Sequence, residues 1–535
     1  MAGLATVFGS GAMTNSMTEI INNDVIFVIG SNTTETHPII GLKMKKAVQR
    51  GAKLIVADPR RIDLVRFANH WLQQKPGSDV ALLNSMMHVI LREGLEDREF
   101  INAWTEDFEA FRGSLAEFTP ETGERISGVP KDKIIKAALL YGNADHAGIY
   151  YTMGMTQHTH GTDNVFSIAN LALLTGNLGK ESAGVNPLRG QNNVQGATDM
   201  GCIPNQYPGY QKVDIPQIKE KFEKEWGLRL SDRIGITATE MTDAALNGSL
   251  KAMYVMGENP VLSDPDVNHT TRALKSLDFL VVQDIFLTET AELAHVVLPA
   301  ASFAEKEGTF TNTERRVQRV RKAVNPPGEA RVDSLILSDL SARLGYKMDA
   351  ASADEMFLEI GRVWPSVAGM TYSRLEKRGI QWPCPTIEHP GTPYLFKGGF
   401  PRGKGRFTPV KYRPSAELPD SEYPFILSTG RQLFQYHTGT MTRKTTAIEV
   451  VSPPYVEINP EDAKMLSLAN GQKVKVSSRR GSIEITVRVS ERPLKGVVFI
   501  PFHFKEAAAN VLTNTALDPV CKIPELKVCA VKIEA

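Results

Sequence analysis

An α/β protein that ends in a small β-rich domain is what this sequence predicts, on three observations. A continuous apolar run at Asp24–Gly30 leads into a turn, a helical stretch and a second apolar strand. The same series returns from Ala252 onward, and the last part of the chain breaks into short alternating strands separated by turns.

The run DVIFVIG has the unbroken hydrophobicity of a strand buried on both faces, as parallel strands are when helices cover them above and below. A turn is expected at Ser31 to His37. Pro38 then opens a helix that closes near Gly51, which puts the residue of fixed φ at the helix start and the one without Cβ past its end. Lys53 to Ala57 forms the next strand and delivers Asp58 at its C-terminal end, where open α/β sheets hold their ligands. This is a Rossmann-like βαβ unit.

The second unit runs from Ala252 to Gly257 (AMYVMG), through a Glu258-Asn259-Pro260 turn and a helix around Val267 to Ser276, to a strand at Phe279 to Gln283 ending in Asp284. Gly30 to Asp58 spans 28 positions and Gly257 to Asp284 spans 27, and each first strand is followed by Gly-x-Asn. Such a pair fits one elongated ligand with two nucleotide ends, two copies of one ligand, or two unrelated units of a common type.

Between the units a helix is expected over roughly Asp163 to Thr175. Six glycines then fall within the 26 residues Gly176 to Gly201, interleaved with Arg189, Gln191, Asn192, Asn193 and Gln195. A loop of this kind lets backbone approach a ligand closely while amides and a guanidinium supply hydrogen bonds. A surface linker would need neither the amide density nor the arginine. After the Pro- and Gly-rich stretch Pro383 to Pro414, the strands YPFILSTGRQ, KVKVSSRRGSIEITVRV and GVVFIPFHF read as a barrel-type domain.

Composition removes several function classes. Sixty-one basic against sixty acidic residues give a formal charge of +1, so no global field attracts nucleic acid or an anionic membrane. No stretch approaches the roughly 20 apolar residues of a bilayer span, and the opening residues lack a secretory signal. Cys202, Cys384, Cys521 and Cys529 contain no C-x-x-C pair; all four are expected to be reduced and buried, as in a cytoplasmic protein.

Eight segments in order, AGLATVFGSGAMTNS, VIGSNTTETHP, VADPRR, MGMTQHTHG, LLTGNLGKESAGVNPLRGQNNVQGATDMG, YVMGENP, VVQDIFLTETAELAHVVLPAASFAEKEGTFTNTERRVQ and LSTGRQLFQYHTGTMTR, resemble the formate dehydrogenase branch of the dimethyl-sulfoxide-reductase superfamily. The resemblance covers essentially the whole chain. It implies a bis-molybdopterin guanine dinucleotide cofactor carrying Mo or W, which accounts for a duplicated half-site. A strand-end carboxylate can accept both the N1–H and the N2–H₂ of guanine, so Asp58 and Asp284 are the candidates for that contact. Asn32, Glu35, Gly257, Glu258 and Asn259 line the matching turns, where ribose and pyrophosphate would lie. Arg60, Gly77, Ser78 and Asp79 in DPRR and PGSD, Gln157 in MGMTQHTHG, Arg431, His437 and Thr438 in GRQLFQYHTG, and Asn510 complete the implied dinucleotide contacts.

Arg189, in RGQNN, is the implied catalytic residue. Formate is a one-carbon carboxylate, and a guanidinium offers it planar bidentate hydrogen bonds; the other role open to Arg189 is pairing a pterin phosphate or a buried acid. Gln191 is expected to support it. No metal ligand is assigned within the chain. The resembling subunits carry a cysteine or selenocysteine followed by His immediately before the AGLA segment, and a 4Fe–4S cluster further upstream; both positions would precede Met1. The sequence is therefore expected to be N-terminally shortened, by a selenocysteine UGA read as a stop or by true loss, and the 535 residues alone are expected to be inactive. Retention of Arg189 and both half-sites favours the UGA account.

The expected domains are 1–191 and 192–395, both α/β and dinucleotide-binding, the second incomplete without the upstream segment, and 396–535, the barrel. The implied reaction is reversible oxidation of formate to CO₂, with electrons passed to iron–sulfur or flavin subunits. A sibling molybdoenzyme resembling nitrate reductase, or a metal-free structural subunit of a redox complex, are the alternatives.

Overall fold

The apolar runs pair as their hydrophobicity requires. In the computed structural model, which describes residues 1–348, 352–450 and 453–535, Val25–Ile29 is the central strand of a five-stranded parallel sheet. The order is His70–Leu72, Lys53–Ala57, Val25–Ile29, Ala147–Tyr151, Gly184–Pro187. All five residues of the central strand are buried, and they alternate between two cores. Val25, Phe27 and Ile29 pack with Met86, Ile90 and Ile168, from the helices Asp79–Arg92 and Gly161–Leu174. Ile26 and Val28 pack with Ile40 and Met44 of the helix Pro38–Gln49. A period of two along the strand thus serves both faces at once.

Ile29 is in register with both Ala57 and Tyr151, which brings Gly30, Asp58 and Thr152 to one edge of the sheet. Gly30 has φ +55, and a Cβ there would stand 2.8 Å from the backbone of Gly154 and Met155. The approach is mutual and leaves no room for a side chain. Thr152 Oγ1 donates to the Gly30 carbonyl at 2.7 Å and fixes the crossing.

Six strands from Phe425–Gly430 to Cys529–Glu534 close a barrel around Leu427, Val456, Val476, Ile485, Val498 and Val531. The alternating sequence of Ser482–Val489 becomes alternating burial, the solvated-outside pattern of a small barrel.

The described chain divides into two compact units, residues 1–190, 262–268 and 394–535 in one, and 191–261 and 269–393 in the other. The five-stranded sheet and the barrel share the first. The second contains the parallel strands Ala252–Met256, Phe279–Asp284 and Val296–Pro299, with Phe279–Asp284 in the middle, and an antiparallel pair, Gly308–Thr311 with Arg316–Val320.

Three expectations are corrected. The segment Ser31 to His37 contains one helical turn, Thr33–Thr36, because Asn32 can cap it through its carbonyl. The glycine-rich stretch Gly176 to Gly201 holds a strand, Gly184–Pro187, and a helix, Val194–Asp199; Gln195 and Asn193 serve internal bonds there, to Asp199 at 2.8 Å and from Thr311 N at 2.8 Å. Only Cys384 and Cys529 are buried; Cys202 and Cys521 are exposed on loops, outside the strands and helices that enclose apolar side chains.

Candidate active site

Asp58 follows its strand directly, and its Oδ1 accepts from the Arg60 amide at 2.9 Å. Burial raises its carboxyl to about 6, against the opposing pull of the Arg60 amide and charge and with a further push from Asp79. Asp79 opens its helix behind Gly77 and accepts from Gln74 Nε2 at 3.0 Å; burial raises it also to about 6. Gly77 has φ +81, and a Cβ on it would come within 2.5 Å of Ser415 Oγ. Lys527 donates to the Thr429 carbonyl at 2.7 Å and feels the charge of Asp58, but burial lowers it to about 8. Two carboxyls and an amine therefore share a dry region at the strand ends. Gln74 and Lys527 carry no motif and were not visible in the sequence.

Two of the implied dinucleotide contacts are engaged within the first unit. Arg60 Nε donates to Glu457 Oε2 at 2.6 Å, and Glu35 Oε1 accepts from Arg492 Nη2 at 3.0 Å. Asn32 differs, since its buried Nδ2 meets no partner among the described residues.

Arg189 stands just beyond the edge strand. Its Nη2 donates to the Gly11 carbonyl at 3.0 Å, and its own carbonyl lies 2.6 Å from His37 Nε2. The Gly190 carbonyl accepts from Arg431 Nη1 at 3.4 Å. The first residues of the chain run past this point, since a Cβ on Gly11 would lie 2.9 Å from the Met1 carbonyl. His37 sits in the quoted VIGSNTTETHP segment, where its position before Pro38 was the available signal.

The loops at the barrel rim add a second group. His437 adopts φ +51, packs against Phe502 and is held neutral, at about 4, by burial and then by Arg431. Thr438 is buried, with its hydroxyl 3.1 Å from that of Thr440. His503 is fully buried, and burial with the charges of Arg443 and Arg431 lowers it to about 3. Neither of its ring nitrogens has a partner among the described residues, nor do Arg431 Nε and Gln435 Nε2. Buried polar groups left unpaired cost about 1–3 kcal/mol each. Their concentration on these loops and at Asn32 fits a ligand with many acceptor atoms, as a dinucleotide with phosphates is. Gln435 and His503 were missed by sequence reasoning, because burial of a polar side chain leaves no periodic trace.

Of the remaining residues in this unit, Gln157 is half-buried at the end of the short helix Met153–Thr156. Asn510 is buried, and its Nδ2 donates to the carbonyls of Leu262 and Ser263 at 2.9 and 3.1 Å.

In the second unit, the local design of the first recurs bond for bond. Gly257 has φ +64, and its amide donates to the Gln283 carbonyl at 2.9 Å, as the amide of Gly30 donates to the Ala57 carbonyl at 3.0 Å. Asp284 Oδ1 accepts from the amide two residues on, that of Phe286, at 3.2 Å, as Asp58 does from Arg60. Asp284 is half-buried, and desolvation raises its carboxyl. Asn259 accepts from Thr290 Oγ1 at 2.8 Å and donates to Glu289 at 2.8 Å, while Glu258 is exposed beside it. Gln191, half-buried, begins this unit. Among the described residues no group of three or more His, Cys, Asp or Glu side chains is placed to hold a metal ion.

Comparison with known proteins agrees with this geometry. The molybdopterin oxidoreductase family matches residues 3–343, and the molydopterin dinucleotide binding domain matches 425–530. The chain is 55% identical over its whole length to the F420-dependent formate dehydrogenase subunit alpha of Methanocaldococcus jannaschii, covering 80% of that protein. It is 50% identical to the F420-dependent formate dehydrogenase 1 subunit alpha of Methanococcus maripaludis, covering 80%, and 42% identical to formate dehydrogenase H of Escherichia coli, covering 76%, both over its whole length. The acetylene hydratase of Pelobacter acetylenicus shares the fold, with a TM-score of 0.76 at 21% identity over all of this chain and 80% of that one. Two matched domains, full-length identity and a duplicated strand-end site together establish that the chain belongs to the molybdopterin oxidoreductase family, in the branch of the formate dehydrogenase alpha subunits.

Proposed function

We propose that the chain is the catalytic subunit of a formate dehydrogenase, converting formate reversibly to CO₂, a proton and two electrons. The observation that carries this reading is identity of 42 to 55% along the whole chain with three formate dehydrogenase subunits.

Of two molybdopterin guanine dinucleotides bearing Mo or W, Asp58, Asp79, Asn32, Arg431, Gln435, His437, Thr438 and His503 would serve as contacts in the first unit, and Gly257, Glu258 and Asp284 as contacts in the second. When bound, that group supplies the oxidising centre that takes up the two electrons. The protein's share is position and field. Arg189 offers the formate carboxylate a planar donor pair, with its own carbonyl and its guanidinium both tied to neighbouring groups. Gln191, two residues on, supports that loop. The burial of Asp58, Asp79 and His503 keeps water from these anchoring groups, and His437 is half-buried.

A thiolate or selenolate would serve as the metal's further ligand in this reading, and a 4Fe–4S cluster would supply the electron path to iron–sulfur or flavin subunits. F420 is the first acceptor to assay, after the names of the two methanogen relatives. The test is to co-express the complete gene product containing these 535 residues with its partner subunits, in a host that makes the cofactor and inserts selenocysteine, then to measure Mo, W, Se and Fe content and formate-dependent reduction of F420 and of a viologen dye. Metal-loaded protein that oxidises formate supports the proposal. Loaded protein that ignores formate but reduces nitrate, or protein that stays metal-free in a cofactor-replete host, would reject it.

A further inference from the structure

We infer that His37 is the positioning residue of Arg189, setting the place from which its guanidinium meets the substrate; this rests on the reading of Arg189 as the formate-binding residue. The sheet holds the chain only as far as Leu188, whose amide donates to the Tyr151 carbonyl at 2.9 Å. Beyond it, side chains take over. The Arg189 carbonyl faces His37 Nε2 at 2.6 Å, and the next carbonyl, that of Gly190, faces Arg431.

The chemistry of the imidazole makes this contact directional. A carbonyl can only accept, so Nε2 must carry the hydrogen. Nδ1 of the neutral ring is then an acceptor, and Thr36 Oγ1 stands 2.8 Å from it and 3.0 Å from the Asn32 carbonyl, so the one hydroxyl proton lies between two acceptors. His37, with φ −141 and ψ 63, lies between the turn Thr33–Thr36 and the helix that Pro38 opens. The Arg189 carbonyl, which can only accept, places the hydrogen on Nε2, and that nitrogen is spent on one backbone carbonyl. Burial, and with it the charge of Arg431, favours the neutral ring, against the opposing pull of the Arg189 carbonyl. His37 is half-buried between Thr33–Thr36 and Pro38–Gln49, so its bond ties the loop at Arg189 to the segment that follows the central strand.

A displacement of about 1 Å at a substrate-orienting group can lower the rate by about a hundredfold. His37→Leu removes the donor; His37→Gln restores an N–H at a similar reach; Thr36→Val keeps the imidazole but removes the partner of Nδ1. These variants and Arg189→Lys are to be compared in the metal-loaded complex by steady-state kinetics, by binding of ¹³C-formate in NMR titration, by metal and pterin content and by hydrogen exchange at 188–190. His37→Leu is expected to raise KM and the formate dissociation constant at least about tenfold, with kcat less affected, cofactor content unchanged and faster exchange at the loop. His37→Gln should recover most of the affinity, and Thr36→Val should fall between. If Arg189→Lys weakens formate binding and His37→Leu does not, His37 has no positioning role while the function stands. Unchanged formate binding in Arg189→Lys would remove the reading of Arg189 and this inference with it. Loss of cofactor or of thermal stability in His37→Leu, without recovery of formate affinity in His37→Gln, would make the contact a structural one and overturn the proposal.

Discussion

The guanidinium of Arg60 closes on one carboxylate oxygen of Glu457 at 2.6 Å, from both Nε and Nη2, with both side chains buried. The guanidinium also lies over the Phe499 ring at 3.8 Å, and Ser490 Oγ donates to the other Glu457 oxygen at 3.0 Å. This pair joins the loop after Lys53–Ala57 to the barrel. Breaking it from either side leaves a charge without a partner, so Arg60→Ala and Glu457→Ala should each destabilise the protein by about 3 to 5 kcal/mol. Denaturant titration of the two variants and of Arg60→Met/Glu457→Leu checks this. The double variant should be the most stable of the three, and equal stability of all three would show that the pair bears little weight.

Asp58 and Asp79 give the unliganded protein a specific pH dependence. Each has a folded value of about 6 against an ordinary 3.8, so between those values the folded state holds more protons than the unfolded one. Stability must then fall as pH rises from about 4 to 6 and level off above, each aspartate accounting for at most about 3 kcal/mol. Lys527, at about 8, stays protonated throughout that window. Asp58→Asn should flatten the fall and raise the melting temperature at pH 7.5, while weakening retention of the dinucleotide cofactor. A variant that melts lower at pH 7.5 and keeps its cofactor would contradict both parts.

Gly30 and Gly257 share a left-handed φ but not their surroundings. A Cβ on Gly257 meets nothing within 4 Å, so Gly257→Ala should cost about 1 kcal/mol, from backbone strain alone. A Cβ on Gly30 meets backbone at 2.8 Å, and Gly30→Ala should cost about 3 kcal/mol. Thermal denaturation should rank them in that order.

Arg189→Lys keeps the charge and loses the fork. In the metal-loaded complex it should lower formate kcat/KM by an amount worth about 2 to 4 kcal/mol, with metal and pterin content near the parent's. Depletion of the cofactor with an unchanged formate KM would identify Arg189 as a cofactor anchor.

The strands around Asp58 and Asp284 were legible because two physical rules act locally: continuous apolar runs for strands covered on both faces, and Pro and Gly at helix ends. What the turn residues do was less legible. Arg60 meets a partner 397 positions away, Glu35 one 457 positions away and Asn510 one 248 positions away, and nothing local in the sequence specifies those meetings. His503 and Gln435 escaped notice for the converse reason, since the unpaired burial of the His503 ring nitrogens and of Gln435 Nε2 emerges only once the chain is folded around them. The cysteines show the same limit: a frequency rule about burial says nothing about which loop a given residue occupies.

The barrel's closing strand, Cys529–Glu534, lies between Phe425–Gly430 and Lys473–Ser477 and pairs with both. During synthesis it leaves the ribosome after every other stave, so the barrel stays open at this seam while the five-stranded sheet, complete by Pro187, can already have formed. Lys527, just before that strand, faces the charge of Asp58, so it reaches Asp58 only as this last stave emerges. The barrel is thus a late-closing structure: until Cys529–Glu534 docks, the edges of Phe425–Gly430 and Lys473–Ser477 that it covers lack this partner.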